Sequence, residues 1–347
     1  MIRKTDPHPE AGAGGCGCLP ATPGAKGQGA VSLPHAAASE TLRSEVMAGM
    51  RQIPGGFLEM GAARSRYAVD LDSPRRRVRL DRFELSETTV TNRLFARFVT
   101  ESGYKTTAER EGWSFVFAVF LADPAAHPRH APHTPWWRQV FGADWAHPEG
   151  SGSTIEGRMD HPVVHVSWHD AAAFARFTGT RLPGEAEWEH AARGGLKGMK
   201  FPWGNALVPG GEHRHNVWQG DFPHRNTAED GHAGAAPARS FPPNGYGLFN
   251  MTGNVWEWVA DWFGPLPAPR LPPLANPTGP ETGDRKVMRG GSHLCHASYC
   301  ERYFVHSRTQ NTPDSSTGHI GFRVAMDAPA LDGKPSAGFP EASHVSR

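Results

Sequence analysis

The run Asn250-Met251-Thr252-Gly253-Asn254-Val255-Trp256-Glu257-Trp258 sets the character of the chain: an Asn/Gly turn signal passes directly into an aromatic, strand-like piece with no helical spacing. Fragments of the same texture fill the sequence beyond residue 195, among them Pro202-Trp203-Gly204-Asn205, Pro242-Pro243-Asn244-Gly245-Tyr246-Gly247 and Arg289-Gly290-Gly291-Ser292. They read as short strands joined by long ordered loops that Trp side chains pin in place.

Helical patterns are confined to the part before residue 195. Thr91 or Asn92 can cap a segment in which Leu94, Phe95, Phe98 and Val99 recur at helical spacing. Ser167, with Asp170 three residues on, opens a second helix that carries Ala171, Phe174, Ala175 and Phe177 on one face. A third, Glu185 to Arg193, follows Pro183-Gly184 and stops at Gly194-Gly195. Phe57 to Met60 and the alternating Arg77 to Leu80 read as strands. No linker-like break falls between about 52 and 328, and no repeat has a fixed period. The expected class is therefore α+β: one loop-rich domain with little regular secondary structure over 51–328, between a low-complexity, disordered tail at 1–50 and a flexible tail at 329–347.

Composition supports a packed domain. The 347 residues include 40 Gly and 31 Pro, about a fifth of the chain where average usage is about 12%. Either disorder or an unusual share of turns would explain this, and 11 Trp with 18 Phe decide for a core. Thirty-six Lys and Arg against 35 Asp and Glu leave a formal charge of +1, which draws the chain to neither nucleic acid nor anionic lipid. The longest apolar run, Phe115 to Ala122, is too short to span a bilayer, and the start from Met1 to His8 has no export-type apolar stretch. A cytoplasmic monomer without nucleic-acid or membrane partners is expected. The small number of cysteines agrees with that compartment.

The four cysteines form two pairs. Cys16-Gly17-Cys18 sits in a Gly-, Ala- and Pro-rich stretch and reads as tail. Cys295 and Cys300 are separated by four residues, unlike the two-residue spacing of redox motifs and zinc knuckles, and no further ligand pair completes a zinc set. Two thiolates suit a soft monovalent ion such as Cu(I). Arg289, His293, His296 and Arg302 would favour thiolates if they point toward the sulfurs. Spacing alone serves packed, inert cysteines or a disulfide equally well.

Other candidates are weaker. Asn250, Gly253, Val255 and Glu257, and separately Asn216, Val217, Asp230 and His232, offer side-chain and carbonyl oxygens that suit Ca2+ or merely brace a turn. His161 with His165, and His213 with His215, lack an acidic partner at fixed spacing and read as scattered histidines. Trp113, Ser114, Trp136 and Trp137 would floor a peptide groove or fill core.

Six motifs in order carry a resemblance: Arg181 to Glu189, Phe201-Pro202-Trp203-Gly204, Asn244 to Leu248, Gly253 to Trp258, Gly290 to Tyr303 and Gly321-Phe322-Arg323. Together they resemble the formylglycine-generating enzymes, or sulfatase-modifying factors, from about residue 52 to 326. The resemblance implies a formylglycine-generating enzyme / C-type-lectin-like fold. It also implies oxidation by O2 of the cysteine in a Cys-x-Pro-x-Arg motif of an unfolded type I sulfatase polypeptide to Cα-formylglycine. In that family the residues matching Cys295 and Cys300 bind Cu(I), with the substrate thiolate as a third sulfur donor. Ser292, Trp256 and Tyr299 match the dioxygen pocket, and the two oxygen-rich sets match two structural Ca2+ sites. Departures are His319 where some members have Asn, Gly184 where a Thr would cap the Glu185 helix, and Phe174, Ala175, Ala192 and Phe304 in or beside the regions where secreted relatives carry extra cysteines. Two other readings stand beside the enzyme: a non-catalytic binding module of the same superfamily, and an iron-dependent sulfoxide synthase. The latter needs a His-rich helical region that residues 1–50 do not supply.

Overall fold

The computed structural model describes Pro20 and residues 37–328; Cys16, Cys18 and the expected tail at 329–347 lie outside the described residues. Five helices are present among them: α1 (Glu40–Ala48), α2 (Asn92–Ser102), α3 (Thr107–Glu111), α4 (Trp168–Thr178) and α5 (Glu185–Ala192). Thr91 caps α2 by accepting from the Leu94 amide at 3.4 Å. At α4, Ser167 and Asp170 satisfy one another's amides, at 2.8 and 3.2 Å. The apolar faces of α2 and α4 meet through Phe98 and Phe174, whose rings stand edge to face at 5.5 Å.

Two helices were not anticipated. Ser39 caps α1, and Leu42 and Val46, one turn apart and fully buried, join the same aromatic cluster as α2 and α4. Ordered structure therefore starts ahead of residue 51, because two apolar residues suffice to seat a short helix on an existing core. In α3 a Thr106–Glu109 capping box holds five residues, too few to show a period.

Fifteen short strands form five small sheets among the described residues. The central one has the order β13 (Arg308–Asn311), β12 (Lys286–Arg289), β10 (Trp256–Trp262), β14 (Ile320–Phe322); β10 runs antiparallel to β12 and parallel to β14. Beside it lie β1 (Met50–Ile53), β4 (Phe83–Ser86) and β15 (Ala325–Asp327). A third sheet joins β11 (Leu274–Ala275), β3 (Arg76–Leu80) and β2 (Gly56–Met60), and a fourth β5 (Trp113–Phe117), β7 (Thr134–Phe141) and β6 (His130–Ala131). A two-stranded hairpin, β8 (Gly220–Asp221) and β9 (Arg225–Asn226), completes the set. Beyond residue 195 the one helical segment among the described residues is a 3-10 turn, Pro209–Gly211, as the turn-rich texture implied. Among them, no helix is long and apolar enough to cross a membrane.

What ties these small sheets together is buried charge. Gly184 has no side chain to cap α5, and Asp261 on β10 supplies the acceptor instead, taking the Glu185 amide at 2.7 Å. Glu185 receives Arg308 of β13 at 2.7 and 2.6 Å and Arg289 of β12 at 3.2 Å. One turn on, Glu189 receives Arg289 at 2.7 Å and Arg193 at 2.6 Å. Glu257 of β10 binds Arg323 at 2.6 and 2.8 Å and the Trp188 indole of α5 at 2.7 Å. All of these side chains are buried, so each charge depends on the others for what water would otherwise supply.

Two outcomes are expected. Glu185→Ala leaves Arg289 and Arg308 short of their carboxylate and should cost about 3–5 kcal/mol in denaturant unfolding; an unchanged midpoint would show the network to be dispensable. Burial, with Glu185 nearby, pushes the Asp261 carboxyl up to about 7 from 3.8. The folded state then keeps a proton that the unfolded chain has released between those values, so stability falls as pH rises through that window. The melting temperature should decline more steeply from about pH 4 to 7 in wild type than in Asp261→Asn, whereas parallel curves would contradict this assignment.

Candidate active site

Between β12 and β13 the chain leaves the central sheet through Gly290 and Gly291, at φ +95° and +76°. A Cβ on Gly291 would lie 2.8 Å from the Arg302 carbonyl oxygen, so the returning limb of the loop can pack this closely only against glycine. Two tight turns follow, Cys295 N to Ser292 O and Cys300 N to His296 O, each 2.9 Å. They aim both cysteines inward. The two Sγ atoms stand 3.6 Å apart, fully buried and unbridged.

Their surroundings differ. Burial and the neighbouring Cys300 push the Cys295 thiol well up. For Cys300 burial acts in the same direction, but the hydrogen bond from Cys295 and the Arg302 guanidinium outweigh it and hold the thiol low. Arg302 Nη1 lies 3.8 Å from Cys300 Sγ. It is fixed there by Asp70, at 2.6 and 3.0 Å, and by the Tyr67 ring 3.9 Å away. The Ser292 amide donates to Cys295 Sγ at 3.4 Å.

Of the four cationic neighbours expected, only Arg302 reaches a sulfur. Arg289 turns to Glu185 and Glu189. His293, neutral because burial lowers it to about 4, binds the Asn254 carbonyl at 2.8 Å, and His296 pairs with Ser298 at 2.7 Å. For Arg289 and His293 the reason is competition: buried carboxylates and a carbonyl offer them better partners than a thiol does, whereas His296 turns to an exposed hydroxyl.

Tyr299 is half-buried, stacked on Phe222 of the β8–β9 hairpin at 4.7 Å and met edge-on by Trp136 of β7 at 5.3 Å. Trp256, buried in β10, belongs to the same apolar cluster as both cysteines. Of Trp113, Ser114, Trp136 and Trp137, Trp136 is the one with a ring contact to Tyr299 among the described residues. Trp137 is buried against His319 at 4.6 Å, Ser114 is buried in hydrogen bonds to Ser316 and His165, and the Trp113 ring packs edge-on against Phe115. His319 itself is bonded to Thr317 at 2.6 Å. His215 is likewise buried, facing Thr252 at 3.2 Å, and His161 binds the Ala235 carbonyl at 2.9 Å.

The two oxygen-rich loops are neighbours. A Cβ on Gly253 would meet the Asn216 carbonyl oxygen at 2.4 Å, and Asn216 Nδ2 reaches Asn254 Oδ1 at 3.2 Å. Asn254 in turn accepts the His293 amide on its own carbonyl at 2.9 Å, and the Trp218 amide binds the Cys295 carbonyl at 3.1 Å. The Asn216 and Asn250 loops thus brace the cysteine loop through backbone groups. Oδ1 of Asn216 and Oδ1 of Asn250 are buried with no hydrogen-bond partner among the described residues. Asp230 holds the Val217 amide at 3.1 Å and the His232 amide at 2.9 Å, while Glu257 is engaged by Arg323 and Trp188.

Sequence reasoning missed Asp70, Tyr67, Phe222 and Asn254. The first two lie more than 230 positions before Arg302, and nothing in local spacing links them to it.

A family model described as sulfatase-modifying factor enzyme 1-like domain matches residues 35–328. A protein named formylglycine-generating enzyme from Streptomyces coelicolor is 54% identical over 287 residues, covering 82% of this chain and 91% of its own. One named inactive C-alpha-formylglycine-generating enzyme 2, from Mus musculus, is 43% identical over 283 residues, covering 80% and 86%. The solved structure of PvdO from Pseudomonas aeruginosa superposes with a TM-score of 0.58 at 24% identity, covering 80% of this chain and 94% of that one, which speaks to the fold alone. With a family model spanning nearly all described residues and relatives this similar, the chain belongs to the sulfatase-modifying factor family.

Proposed function

We propose that the chain oxidises a cysteine of a sulfatase polypeptide to Cα-formylglycine, using O2 and a copper(I) ion held by Cys295 and Cys300. The relatives' names support the conversion, and the observation that carries it for this chain is the buried pair of free thiols 3.6 Å apart. Family membership alone does not decide, since one relative bears the name inactive. The donor set fits: two adjacent sulfurs, with no cluster of three or more metal-ligating side chains among the described residues, suit a soft monovalent ion rather than zinc or a hard cation. When bound, copper(I) would supply a centre that accepts a further thiolate and passes electrons to oxygen.

The protein's own groups define the rest. The Ser292 amide and the Arg302 guanidinium stabilise negative charge on the two sulfurs. Trp256 and Tyr299 belong to the apolar cluster that holds both sulfurs and keeps water from them until a peptide enters. The sulfurs have no exposure, so an incoming extended peptide with the Cys-x-Pro-x-Arg pattern reaches them by displacing the half-buried Tyr299, Trp136 and Phe222 cover. In the net chemistry two electrons and two protons leave the substrate Cβ–H and S–H, O2 accepts them, and hydrolysis of the thioaldehyde releases hydrogen sulfide and leaves the aldehyde.

Calcium at the two Asn-centred loops belongs to the same reading. An orphaned buried amide oxygen lacks a partner worth about 1–3 kcal/mol, and a hard cation supplies one. The Asn216 set adds the Asp230 carboxylate and the Val217 and His232 carbonyls. The Asn250 set adds the carbonyls of Gly253 and Val255 and a remaining lone pair of Glu257.

Copper-loaded protein in air should convert a Cys-x-Pro-x-Arg peptide from thiol to aldehyde by mass spectrometry, and Cys295→Ser or Cys300→Ala should abolish conversion while remaining folded. An intact peptide with wild type would favour the binding module instead. Purified protein should contain calcium by elemental analysis and melt at lower temperature in EGTA. Asn216→Ala should remove the part of that chelator response, and of the calcium content, that belongs to its own site; absence of calcium with an unchanged melt would refute the assignment.

A further inference from the structure

Away from the cysteines, a cavity of about 410 Å³ opens between β2, β3 and the turn that follows α5. Its rim carries Arg75 and Arg77 from the β3 side and Lys197 from the turn, against a single carboxylate, Glu59. Glu59 lies 3.8 Å from Arg77 with both side chains mostly exposed, a contact too weak and too hydrated to neutralise the rim. Arg75 and Lys197 have no ion pair among the described residues. Arg193 at the back is buried and already neutralised by Glu189 at 2.6 Å, so it adds rigidity rather than free charge.

Aromatic surface accompanies the charge. Phe57 is 51% exposed, and Arg77 lies over its ring at 4.5 Å. Tyr246, across the cavity, packs on the turn at Gly195 and beside His190, whose ring nitrogen is held by the Pro54 carbonyl at 2.9 Å. His190 is kept neutral by burial and contributes no charge. The volume falls in the range of small-molecule sites, and cations with a ring face at this separation match an anion carried on a flat ring.

We propose that this cavity binds a small aryl monoester of a tetrahedral oxyanion, the phosphate or sulfate group meeting Arg75, Arg77 and Lys197 and the ring lying against Phe57 and Tyr246. The site is separate from the cysteine pair and stands or falls independently of the oxidase reading.

Isothermal titration of the full chain at low salt with phenyl phosphate, phenyl sulfate and inorganic phosphate provides the test. One saturable site for either aryl ester is expected, at least roughly tenfold tighter than inorganic phosphate, and whichever ester binds identifies the oxyanion. Arg75→Glu combined with Lys197→Glu, both exposed, should weaken that site at least roughly tenfold with an unchanged melting temperature, and Phe57→Ala should erase the preference for the aryl ester. No saturable binding, equal affinity for inorganic phosphate, or undiminished binding in the charge-reversed variant would each overturn the proposal.

Discussion

The fold depends on buried guanidinium–carboxylate pairs that join its small sheets to one another and to α5. Its sheets are small and its strands mostly two to five residues long, so backbone ladders alone cannot unite them. Arg289 and Arg308 reach from the central sheet into Glu185 and Glu189 and hold α5 on that sheet, while Arg323 on its flank pairs with Glu257 of β10. Charge pairs of this kind add little net stability compared with well-packed apolar groups, but they tolerate almost no alternative arrangement. A protein made largely of loops gains specificity from such partners, because a misplaced loop would strand a guanidinium in the interior.

The same arrangement positions the thiols. Arg289 ends β12 and is pinned by Glu185 and Glu189, and the double glycine turns the chain immediately afterwards. From there Ser292 and His296 carbonyls fix the turns that bring Cys295 and Cys300 together. The other limb of the loop is anchored through Arg302 to Asp70, far away in sequence, so the ion pair that shapes the loop also places a positive charge beside Cys300. Asn254 links the third side, joining the Asn216 and Asn250 loops to His293. The oxygen-rich loops and the sulfur pair are therefore one mechanical unit.

Much of this was legible before any coordinates. Thr91, Ser167 and the Gly194-Gly195 stop mark three helices because capping and termination are local chemistry. The cysteine pair and its motif stand out for the same reason. What could not be read is whatever depends on distant partners. Asp261 capping α5 in place of the missing Thr, Asp70 orienting Arg302, and Phe222 covering Tyr299 each join segments with no shared periodicity. The expectation that Arg289, His293 and His296 would face the sulfurs failed because spacing reports nearness along the chain, while the available partners decide where a side chain turns: buried carboxylates for Arg289, a buried carbonyl for His293 and a surface hydroxyl for His296. The α1 helix was hidden by its setting, since Leu42 and Val46 are too few to stand out from a low-complexity stretch.

X-ray absorption at the copper edge, on the full chain loaded with one equivalent of Cu(I), addresses the two thiols most directly. Two sulfur scatterers without nitrogen are predicted, rising to three when a Cys-x-Pro-x-Arg peptide is added under anaerobic conditions. A first shell of nitrogen or oxygen, or a sulfur count that the peptide leaves unchanged, would contradict a copper(I) centre formed by Cys295 and Cys300.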